Sequence, residues 1–136
     1  MKKLIIGIVC LGIAGCSTTP VSPKDAKEVP ATIKYQKHDG SVPVTIIRDK
    51  GMVAGACEIT AYIDGEQVAN LDTGEKVVAY VTPGEIVIGA GFIGSGLCSG
   101  PERKERSFNV VDSKPRNFRI FIDQNANVDI LPSTVN

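Results

Sequence analysis

The residues of this chain best suited to chemistry are four cysteines, one histidine and a glycine-rich run. His38 is the single histidine. Without a second one it cannot be half of a metal site, so a solvated position beside the Asp39-Gly40 turn is expected. Gly89-Ala90-Gly91-Phe92-Ile93-Gly94 spells G-x-G-x-x-G after an apolar run, and Asp112 follows at about the distance of a ribose-binding acid. That fingerprint needs a helix opening at its third glycine, facing a pyrophosphate. Ser95 to Pro101 cannot sustain an apolar-faced helix, and too little chain follows Gly94 for further βαβ units. The glycines are instead expected to permit a bulge or a close backbone approach. Ser95 and Ser99 lie in the same loop, yet G-x-S-x-G is absent. No carboxylate is spaced with a histidine or a nucleophilic serine in a recognisable motif. No catalytic residue, cofactor site or metal ligand is therefore assigned, and a non-enzymatic role is expected.

The cysteines carry more information. Met1-Lys2-Lys3 precedes an apolar run, Leu4 to Gly15, too short to span a bilayer core as a helix. Residues 1–15 read as a secretory signal. Ile13-Ala14-Gly15-Cys16 resembles a bacterial lipobox, the cleavage site of the lipoprotein signal peptidase. Cys16 would then be the mature N-terminus, with diacylglycerol on sulfur and acyl on nitrogen. Several buried chains hold a protein stably on a membrane, where one alone is marginal. Ser17 after the cysteine resembles the outer-membrane sorting class, so an outer-membrane envelope lipoprotein is expected. Cys10 lies within the signal and is lost on cleavage.

Cys57 and Cys98 remain. An even pair in an exported chain favours a disulfide. Closing a loop of this length restricts the unfolded chain by about 4 kcal/mol in the entropy model. There is no C-x-x-C, and two cysteines do not make a zinc site.

These residues must be positioned by a small domain. The chain has 136 residues, room for one domain, and no large single-sign tract. Removal of residues 1–15 leaves 13 basic and 15 acidic side chains, a formal charge of −2. That balance gives no electrostatic footprint for nucleic acid. Residues 16–30 are small, polar and proline-containing, so the lipidated N-terminus and a flexible linker reaching about 40 Å are expected. The domain is then expected over 31–136.

Turn signals recur every few residues through this domain. Asp64-Gly65, Thr73-Gly74 and Pro83-Gly84 separate four short apolar runs between Ile59 and Ala90, read as a β-meander. Ala31–Tyr35 and Val42–Arg48 read as two earlier strands. Ser107–Val111, Asn117–Ile122 and Val128–Ile130 read as later ones, with Arg119 solvated. No segment has helical length and periodicity. The fold expected is all-β, a single antiparallel β-sandwich of about 7–9 short strands.

The run Arg48, Gly51, Gly55, Tyr62-Ile63-Asp64-Gly65, Val68, Leu71, Gly74-Glu75, Pro83-Gly84 and Ile88 resembles a family of bacterial lipoprotein domains of unknown function. Those domains are similar to PEGA-type, transthyretin-like β-sandwich repeats. The resemblance covers Val42 to Ala90 and implies a fold. It carries over no catalytic residue. With the lipobox it leads to the expectation of a membrane-anchored binding or structural module acting on an envelope protein or glycan. The alternative is a small inhibitor or exclusion factor, directed at an exogenous enzyme or phage through the loops near Cys57 and Leu97–Glu102.

Overall fold

The computed structural model describes residues 18–112, 114 and 116–136. The signal segment and Cys16 lie outside the described residues, as do Ser113 and Pro115 of the turn expected before Asn117. The described chain is an all-β sandwich. Its nine strands are β1 (Lys27–Val29), β2 (Val42–Arg48), β3 (Ile59–Ile63), β4 (Glu66–Leu71), β5 (Glu75–Val81), β6 (Gly84–Phe92), β7 (Lys104–Val110), β8 (Arg116–Ile122) and β9 (Val128–Ser133). One sheet has the order β1-β5-β2-β8-β9 and the other β4-β3-β6-β7.

Local chemistry sets the turns. Asp64 and Gly65 have φ of 49° and 81°, the positive pair that a two-residue hairpin requires, and β3 and β4 pair antiparallel across them. The four strands between Ile59 and Ala90 fall where the turn residues put them, but they are not a meander. After β4 the chain crosses to the other sheet, where β5 pairs with β2, and then returns so that β6 pairs with β3. Nor is the sandwich wholly antiparallel. β1 runs parallel to β5, and β2 runs parallel to β8 with Val44 opposite Arg116 and Arg48 opposite Ile120.

Alternation buries one side of each sheet. Val44, Ile46, Val77, Ala79, Phe118 and Ile120 meet Ile59, Ile63, Ile86 and Ile88 between the two layers. Each buried Val, Ile or Phe among them contributes about 1.5–3 kcal/mol relative to exposure. Edges are guarded as soluble sheets require. β7 carries Lys104, Glu105 and Arg106 along its outer margin, while Pro132 sits in β9, which has a partner on one side only.

Two segments before β2 depart from the sequence reading. Residues 18–30 are not a free linker. Val21 and Ala26 bury against Ile47 on the outer face of the first sheet, and Lys27–Val29 forms β1. Ile47 follows Ile46, so the two point to opposite faces; covering the outward one is what holds this segment down. Ala31–Tyr35 is not a strand either. Ile33–Tyr35 is a single 3-10 turn, whose buried Tyr35 donates its hydroxyl to the Ile63 carbonyl at 2.8 Å. Upstream of it, Thr32 binds Val68 O and Gln67 O through its backbone and side chain. The segment is therefore a strap from the first sheet to the second.

Candidate functional site

The chemistry-bearing residues divide between the two ends of the sandwich. At one end β2 stops at Arg48, β3 starts at Ile59, and Phe92 of β6 stands opposite Ile59. Cys57 and Cys98 flank those strand ends and are joined in a disulfide, with Cα atoms 5.4 Å apart. The bond ties the 49–58 loop to the Gly96–Cys98 turn, as the sequence led us to expect.

Beneath the bond is a charged cluster that the sequence reading missed. Arg48 is 1 % exposed and donates to three carbonyls, those of Cys57, Leu71 (2.9 Å) and Ala54 (2.8 Å). Burial pushes its guanidinium below the ordinary arginine range, opposed by the fields of Asp72, Glu75 and Glu58. Asp49, also 1 % exposed, accepts both nitrogens of a bidentate Arg119 fork, with Nε at 2.9 Å. The Thr18 hydroxyl donates to the same carboxylate at 3.0 Å and accepts from the Ile122 amide at 3.0 Å. Arg119 was expected to be solvated. Alternation does place it with Phe121, over whose ring it lies at 5.3 Å, but Asp49 and Thr18 cover that face. The visible signal was an Arg-Asp pair ending an apolar strand. Arg48 Nε is buried without a partner, but the other charged groups of this cluster are paired within the fold, so its chemistry is that of a clamp.

The G-x-G-x-x-G run serves packing. Gly89 and Gly91 lie in β6, where a Cβ would meet Arg103 and, at Gly89, Tyr62. Arg103 folds over the sheet with its guanidinium carbon 4.4 Å from the Tyr62 ring centroid. A 3-10 turn, Gly96–Cys98, follows the third glycine. Asp112 comes just after Val110, the partner of Gly84, and so sits at the opposite end of β6 from Gly94. The dinucleotide site has neither its helix nor its acid. Ser99 donates its hydroxyl to Gly96 O, closing that same turn.

The other end is open. A groove of about 760 Å³ runs between the strap and the Asp64-Gly65 and Pro83-Gly84 turns. Tyr35 and Ile63 form its floor, Ile33 at 87 % exposure lies along it, and Lys37, His38 and Glu85 contribute polar groups. Burial raises the Tyr35 phenol above its ordinary value, so it is a neutral donor in the groove wall. His38 is exposed, with Nδ1 3.0 Å from the Gln36 carbonyl. A carbonyl only accepts, so Nδ1 carries the proton in that contact. Among the described residues no group of three or more His, Cys, Asp or Glu side chains is arranged to hold a metal ion. The groove offers apolar surface, hydrogen bonds and mixed charge, which is the equipment of a binding surface.

No family model matches this chain, and no curated protein or solved structure is significantly similar to it.

Proposed function

We propose that this protein is a lipid-anchored envelope module, a non-enzymatic binder that holds a protein or glycan in the groove beside Tyr35.

 The reading of Cys16 as the acylated residue supplies the anchor, and the division of labour between the two ends supplies the orientation. One observation carries the binding role: a concave surface of about 760 Å³ lies at the end opposite the disulfide, and an apolar side chain, Ile33, stands exposed along it. The resemblance to PEGA-like lipoprotein domains agrees with a fold built to present loops. The buried ion cluster is committed to stability, and the sequence carries no recognisable catalytic motif, which is why the role is read as binding rather than catalysis.

The test is photo-crosslinking in intact cells from a reporter at Thr82 or His38, compared with one at Asn136. Recovery of one protein or one envelope glycan from the groove positions alone is the expected result. No species above the Asn136 control would count against the reading.

A further inference from the structure

The first described residues, Thr18 and Thr19, lie at the disulfide end of this fold. Thr18 is held by its amide to Ile122 O at 3.2 Å and by its hydroxyl to Asp49, and Thr19 forms a two-way bridge with Lys50 at 2.7 and 3.0 Å. Cys16 precedes Thr18 by two positions, a reach of at most roughly 7 Å. The interfacial layer of a bilayer is only about 5–8 Å deep on each side. A lipid on Cys16 therefore leaves Asp49 and Lys50 about one headgroup layer from the acyl chains.

What the molecule shows at this place is apolar. Met52, two positions past Lys50, is 97 % exposed, and Leu97 is fully exposed. The Cys57–Cys98 bond pins their two loops together, and Ile93, partly exposed, joins the group through its amide bond to Glu58 O at 3.2 Å. The charges around them are mixed: Lys50, Arg103 and Lys104 against Glu58 and Glu102, all exposed. This is no basic patch drawn to anionic lipid. It is a small apolar tip on a rigid, cross-linked base.

We propose that the disulfide end of the sandwich seats on the bilayer surface, with Met52 and Leu97 inserted into its interfacial layer. This rests on the reading of Cys16 as the acylated residue. The acyl chains set attachment; the tip sets orientation. With the strands standing away from the surface, the groove at their far ends is held roughly 20 Å from the membrane, by the rise of seven strand residues.

The chain has no tryptophan, so a single introduced one is an unambiguous reporter. Full-length acylated protein carrying Leu97→Trp, Met52→Trp or Thr82→Trp is reconstituted into vesicles of phosphatidylethanolamine and phosphatidylglycerol with brominated acyl chains. Both tip positions should be quenched at least about twofold more than Thr82→Trp, and high salt should not diminish the difference. Equal quenching at all three positions, in protein whose mass includes the acyl groups and which floats with the vesicles, would overturn the seating and leave the anchor standing. Loss of the difference in high salt would overturn the apolar mechanism. A native chain lacking acyl mass would sink the anchor and the seating together. Crosslinking of Leu97 to an envelope protein, without quenching, would assign the tip to a protein partner instead.

Discussion

The two ends of this sandwich are built on opposite plans. At the disulfide end a covalent bond, a buried arginine with three carbonyl acceptors and a buried aspartate in a bidentate pair fix the loops. At the groove end the strap is fastened to the second sheet by the Tyr35 hydroxyl and by Thr32, and its ion pair, Lys34 with Glu66, is exposed on both sides. Covalent and buried ionic fastening is concentrated at the disulfide end, whereas the groove end is held by neutral hydrogen bonds and an exposed ion pair.

Mutations can break this contrast. Asp49→Ala should have the largest effect, because it leaves Arg119 without its carboxylate and removes one of the two acceptors of the Thr18 hydroxyl. A loss of about 3–5 kcal/mol is expected from denaturant midpoints. A loss below about 1 kcal/mol would mean that the cluster is no clamp. Replacing Cys57 and Cys98 together by serine should cost about 4 kcal/mol, read from the same midpoints against the oxidised protein.

Acid should act by a smaller step. Asp123 is held below its ordinary value of 3.8 by the Asn127 backbone and side chain, and Asp129 by the Arg106 side chain. Both carboxylates favour the folded state above pH 3.8, and that contribution disappears as the pH falls through their lowered folded values. A thermal midpoint that begins to drop below about pH 4 is expected, and one flat to pH 2 would contradict it. Smallest of all, Ile33→Ser should change stability by no more than about 0.5 kcal/mol. It should nevertheless weaken crosslinking from the groove, separating the binding end from the clamped one.

Much of the strand layout was legible because turns are local. Asp64-Gly65 and Gly74 declare positive φ through residue type alone, and the strands between them fall accordingly. Sheet membership was not legible. Alternation says which side of β5 is buried, but the same pattern suits a neighbour in either layer. The parallel pairing of β2 with β8 is likewise invisible to a reading that works outward from hairpins. Residues 18–30 looked like a spacer because Val21 and Ala26 are isolated in polar sequence. The clue lay elsewhere, in Ile47, whose outward side chain needed a cover. Five alternating residues at Ala31–Tyr35 were too few to distinguish a strand from a strap. Of the sites, the cysteine pair was readable from its number and context, whereas Asp49 and Arg119 became partners only through long-range folding.

The central place of β2 bears on how the chain is made. Its neighbour on one side is β5, but its neighbour on the other, β8, begins only at Arg116. During synthesis, Val42–Arg48 keeps an unsatisfied hydrogen-bonding margin until Arg116–Ile122 has emerged. Closure of the first sheet is thus a late, nonlocal and slow event, and a truncation before Arg116 would expose a strand competent to recruit a second molecule.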